Sequence, residues 1–117
     1  MAGLRDVVSG LASRPGVDAV VVVSADGLPI AHQARNGVDV DAVAALTASL
    51  SQGARRLGRA AHCNELTTGV LEYGDRLAVF AALGAENLLF VLVAPRTNIG
   101  PLLYDLRRYG PDLAGVL

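Results

Sequence analysis

The sequence predicts an α/β (α+β) fold of element order αββαβββα, with a five-stranded, mainly antiparallel sheet covered by helices on both faces. Three observations carry this expectation. Val20 to Val23 is an unbroken β-branched run, as in a strand buried on both faces. Residues 39–61 show the 3.6-residue apolar period of a long amphipathic helix. Residues 65–94 divide into three strand-like segments separated by glycine-containing turns.

Each element has a local rationale. Leu4, Val7, Val8 and Leu11 share one helical face over residues 3–13, and Arg14-Pro15-Gly16 stops that helix. The first strand spans 17–24. Ala25-Asp26-Gly27 turns the chain, because Asp and Gly tolerate the positive φ of hairpin turns. The second strand, 28–34, contains Pro29, which cannot donate to a ladder and therefore belongs at a sheet edge. Asp39 is the expected N-cap of the central helix, with Val43, Leu46, Leu50, Ala54 and Leu57 forming the stripe expected to face the sheet.

A meander follows at 65–73, 76–83 and 88–94, with turns at Gly74-Asp75 and at Gly84-Ala85-Glu86-Asn87. Thr97 or Asn98 should cap the last helix, and Gly110-Pro111 should end it at Tyr109. The apolar strands 17–24 and 88–94 should be central. With Pro29 at one edge and the Thr- and Glu-bearing 65–73 strand at the other, the expected order is second, first, fifth, fourth, third.

Composition narrows the function. The chain has 117 residues, which suits one domain spanning 1–117, and its 52% hydrophobic and 18% charged content is that of a globular protein. A net charge of −1 with no basic tract argues against nucleic acid as a partner. The longest strongly apolar run, Leu88 to Ala94, is far short of the roughly 20 residues that span a bilayer. Met1 to Asp6 lacks the apolar core of a secretory signal, and the single cysteine, Cys63, fits a reducing compartment. A cytoplasmic protein with no membrane contact is expected. All ten basic residues are arginine, a bias expected of a GC-rich bacterial genome. Without lysine the chain has neither the P-loop lysine nor a Schiff-base amine.

No catalytic, cofactor or metal site emerges. His62 and Cys63 are adjacent, so in extended chain they point to opposite sides, and two histidines with one cysteine are too few for a metal centre. They read as helix-end and packing residues, and His32 lies on the Pro29 strand without a visible partner. Thr97-Asn98 reads as a cap rather than an anion site. Tyr73, Tyr104 and Tyr109 read as packing residues with wet hydroxyls.

Two surfaces stand out instead. Asp41, Ala45, Ala48, Ser49 and Gln52, continued by Arg55, Arg56 and Arg59, occupy the central-helix face opposite the expected core stripe. Small side chains admit another helix, and arginines grip carboxylates or phosphates. The plainer alternative is an alanine-rich surface helix. The 65–73 strand, with Leu66, Thr67, Thr68, Val70 and Glu72, lacks a proline and is long enough to pair with another chain. The plainer alternative there is an edge closed by a loop or solvent.

Three segments together resemble a Roadblock domain, the family that includes dynein light chains and bacterial MglB-like GTPase regulators. They are GVDAVVVVSADGLPIA from Gly16 to Ala31, the alanine-rich helix around Ala42 to Leu57, and APRTNIGPLLYDLRR from Ala94 to Arg108. The resemblance covers nearly the whole chain through the order and spacing of its patterns, although Pro101 in the first turn of the last helix departs slightly from them. It implies a dimer joined sheet edge to sheet edge, with the two central helices side by side. It also implies a non-catalytic role in regulating a Ras-like small GTPase, or in scaffolding. A structural dimer without a GTPase partner, or a small-ligand sensor domain, are the competing expectations.

Overall fold

The computed structural model describes residues 3–84 and 86–114. Its elements are α1 (Leu4–Ala12), β1 (Val17–Val23), β2 (Pro29–Ala34), α2 (Val40–Ala60), β3 (Thr68–Glu72), β4 (Leu77–Leu83), β5 (Asn87–Val93) and α3 (Gly100–Ala114). The sheet order is β2-β1-β5-β4-β3, and every neighbouring pair is antiparallel. The expected topology therefore holds. Ala85 of the expected β4–β5 turn, and the side chain of Tyr109, lie outside the described residues.

The two sheet faces are covered unequally. On one, Val8 and Leu11 of α1 and Leu102 and Leu106 of α3 bury Val20, Val22, Val79, Leu89, Val91 and Val93. On the other, α2 packs Ala44 against Val21, Val23 and Leu88, with Val40, Val43, Ala48 and Phe90 partly buried around them. An ion pair between Arg14 and Asp105 ties the exit of α1 to α3. Arg35 Nε lies 3.3 Å from Asp18 Oδ1, joining the end of β2 to β1.

Turn and cap chemistry set the boundaries. Gly27 has φ +79, and Ser24 Oγ accepts from Leu28 N at 3.1 Å, closing the β1–β2 hairpin. Asp39 Oδ1 accepts from Ala42 N at 3.1 Å, so it does cap α2. Asp39→Ala should cost about 1 kcal/mol, read as a lower urea midpoint with an unchanged slope. An unmoved midpoint would show that the cap contributes nothing.

Helix α2 ends through His62 in the left-handed region (φ 58). His62 N donates to Arg59 O at 3.1 Å and Cys63 N to Gly58 O at 2.8 Å. This is the paired hydrogen-bond pattern of a Schellman stop, and it gives His62 and Cys63 the work of ending a helix. Asn98, rather than Thr97, opens α3: its Oδ1 accepts from Gly100 N at 3.1 Å.

Three expectations need correction. The α2 stripe does not face the sheet: Leu46, Leu50 and Leu57 are 69%, 40% and 71% exposed, while Val43 and Ala54 are half-buried. The buried line is Ala44, Thr47 and Ser51. Small residues stand there because the helix backbone lies close on the sheet, with Ala44 packed against Val21, Val23 and Leu88; the hairpin turn meets the adjoining flank, where a Cβ on Gly27 would sit 3.3 Å from Ala45 Cα. Ser51 Oγ donates back to Ala48 O at 2.9 Å, which satisfies its buried hydroxyl within the helix.

The second correction concerns the 65–73 segment, which forms a strand only over Thr68–Glu72. Leu66 and Thr67 precede the ladder, although Thr67 O still accepts from Ala82 N at 2.9 Å. The third concerns α3, which continues through Gly110 and Pro111 to Ala114. A proline removes its own N–H and crowds one carbonyl, yet the chain beyond it can remain helical.

Candidate protein-interaction surface

The β3 edge is open, and its backbone polarity can be read residue by residue. Tyr73 N donates to Arg76 O at 2.8 Å, and Ala82 N donates to Thr67 O at 2.9 Å. Odd-numbered residues of β3 therefore direct their N–H and C=O groups at β4. Alternation leaves Thr68, Val70 and Glu72 with theirs directed away from the sheet. Among the described residues no strand pairs with that side.

Side chains alternate as well. Thr68 and Val70 lie opposite Ala81 and Val79 of β4, which belong to the core beneath α1 and α3. Thr68, Val70 and Glu72 therefore share the α3 side of the sheet. On the α2 side, Gly69 lies opposite Phe80, whose ring fills the space above it; a Cβ there would be 2.2 Å from the ring.

Helix α2 presents two flanks around its buried line. Ala45 and Ala48 lie against the hairpin turn at Gly27. The wheel then puts Leu46, Leu50, Ala54 and Leu57 on the opposite flank, the one turned toward the β4–β3 half of the sheet. Helix α2 itself packs on β1, β2 and β5. The result is an apolar flank beside an open strand edge, on one side of the molecule.

The structure divides the residues expected to meet a partner. Ala45, Ser49, Gln52, Arg56 and Arg59 are exposed, Arg55 is half-buried, and Ala48 is partly buried against the α2-side core. On the edge segment Leu66 and Thr68 are half-buried, while Thr67, Val70 and Glu72 are exposed. Sequence reasoning passed over Leu46, Leu50 and Leu57 as surface residues because they look like core. The available signal was a second helical line, Val40, Ala44, Thr47 and Ser51, at equally good spacing.

The end of α2 and the start of β3 border a groove of about 1370 Å³ that contains Arg55, Arg59, Arg107 and Glu65. Cys63 also lines it and is a free, exposed thiol. Tyr104 is exposed, and its hydroxyl accepts from Arg108 Nη1 at 2.9 Å. Among the described residues no helix is long and apolar enough to cross a membrane.

A family model described as Roadblock/LC7 domain matches residues 4–94. Among solved structures, the chain is similar to a Roadblock/LC7 domain from Streptomyces avermitilis, at 24% identity over 97% of each chain with a TM-score of 0.85. It is also similar to MglB of Myxococcus xanthus, at 21% identity over 94% of this chain and 89% of that one, with a TM-score of 0.83. A third is the gliding protein MglB of Thermus thermophilus, at 16% identity over 95% of this chain and 85% of that one, with a TM-score of 0.82. At such identities these likenesses bear on the fold alone. No curated protein matches the chain.

Proposed function

Because the chain belongs to the Roadblock/LC7 domain family, we propose that it is a cytoplasmic, non-catalytic interaction module that dimerises and regulates a Ras-like small GTPase. The observation that carries the reading is the exposed leucine flank of α2 beside the open β3 edge. Large exposed apolar side chains clustered next to unpaired backbone groups favour protein association. Self-association follows from the edge, because two copies of β3 can satisfy each other's outward N–H and C=O groups across a two-fold axis. A solved structure described as MglB with tetrameric arrangement, similar to this chain at 17% identity with a TM-score of 0.84, supports assembly from copies of such a fold. The GTPase as partner comes from the family resemblance and from the MglB-like fold.

The test combines sedimentation of the purified chain with binding to Ras-like GTPases of the same cell, each loaded with GDP or a GTP analogue. A dimer that binds one nucleotide state preferentially and alters hydrolysis or exchange is the expected result. A dimer that binds none of them in either state would replace this reading with that of a structural scaffold.

A further inference from the structure

Arg107 and Glu72 stand on the same side of the sheet, at opposite ends of β3. Arg107 lines the groove together with Thr68, at the start of the strand. Glu72 is exposed at its end. Among the described residues neither takes part in an ion pair. Four residue steps of strand separate Thr68 from Glu72, roughly 14 Å at ~3.4 Å per residue, so the two charges do not meet within one copy.

A second copy changes this distance. The outward backbone groups belong to Thr68, Val70 and Glu72, so a two-fold antiparallel pairing that uses the whole strand centres on Val70. Thr68 of one copy then faces Glu72 of the other as a hydrogen-bonded pair, with Cα atoms about 5.5 Å apart and side chains on the same face. That is the α3 face, where Arg107 stands. Of the groove's charged residues, Arg107 comes from α3, on that face, whereas Arg55 and Arg59 come from α2, on the other. The incoming turn is itself mixed, since Asp75 is followed by Arg76 with 4.0 Å between Oδ2 and Nε.

We infer that Arg107 of each copy binds Glu72 of the other, and that these two symmetric ion pairs fix the register of β3–β3 pairing. The inference rests on the dimer reading above and adds its specificity: a slip of the edge by two residues separates both pairs at once. A carboxylate at 72 and a guanidinium at 107 thus select this chain's own copy over a related domain lacking either charge.

Wild-type protein, Glu72→Arg, Arg107→Glu and an equimolar mixture of the two variants are compared by sedimentation over a concentration series at low salt. Both sites are exposed, so circular dichroism should be unchanged. Each variant alone places like charges together twice per dimer and should dimerise about tenfold or more weakly. The mixture restores opposite charges at both sites and should recover wild-type affinity. Variants that dimerise like wild type, or a mixture no tighter than its components, would overturn the ion pairs and leave the dimer standing. A wild-type chain that stays monomeric throughout would overturn the dimer, and the ion pairs with it.

Discussion

Replacing Leu46 and Leu57 together with aspartate is expected to yield a folded monomer. Both side chains are mostly exposed in the isolated chain, so their removal takes nothing from the core. Full burial of a leucine stabilises by about 1.5–3 kcal/mol. A two-fold interface counts each substitution twice, and aspartate adds desolvation and repulsion. A loss on the order of 5 kcal/mol follows even with partial burial, which is more than a thousandfold in affinity. Sedimentation reports the change, and circular dichroism confirms the fold. A variant that sediments like wild type would move the interface off this flank. An unfolded variant would show that the leucines serve the fold of a single chain.

The second large effect is predicted at Gly69. Its place opposite Phe80 leaves no room for a side chain, with the ring 2.2 Å from an added Cβ. The ring is buried, so Gly69→Val forces it out of its packing or detaches β3 from β4. Overpacking of this kind costs about 1–3 kcal/mol, and loss of the edge strand should also abolish the proposed β3 pairing. Urea unfolding of Gly69→Val in the Leu46→Asp/Leu57→Asp background isolates the first cost from the second. Adding Phe80→Ala should give a double variant more stable than the sum of the two single losses, because the clash disappears with the ring. Strict additivity would mean that the ring and Gly69 do not share that space.

How far these surfaces could be read from sequence depends on the physics behind each. Val20–Val23 announced a central strand because β-branched residues on both faces require burial on both faces. Pro29 announced an edge because it lacks a donor. Asp39 announced a helix start through a side-chain bond that is local in sequence. The orientation of α2 was not legible. Periodicity identifies apolar faces of a helix but not which surface covers them, and hydrophobicity favours Leu46, Leu50 and Leu57 over Ala44, Thr47 and Ser51. What sets the orientation is the packing of Ala44 on Val21, Val23 and Leu88 and the approach of the turn at Gly27 to Ala45 and Ala48, contacts between distant parts of the chain. The proposed role of Arg107 was equally illegible, since the groove it shares with Thr68 depends on how α3 packs across β4 and β3. The open third strand was legible as an element; its usable length, Thr68–Glu72, was not.

The unequal coverage of the sheet has a consequence for how the molecule fluctuates. One face is packed by branched and leucine side chains from two helices, which form the larger of the two cores. The other is held by Ala44 and a few half-buried neighbours, so the amides of α2 should exchange before those of the sheet in a hydrogen-exchange experiment. Occupancy of the leucine flank should then slow exchange along the whole helix, at Ala45, Gln52 and Arg56 on its other side as well, with no shift in their positions.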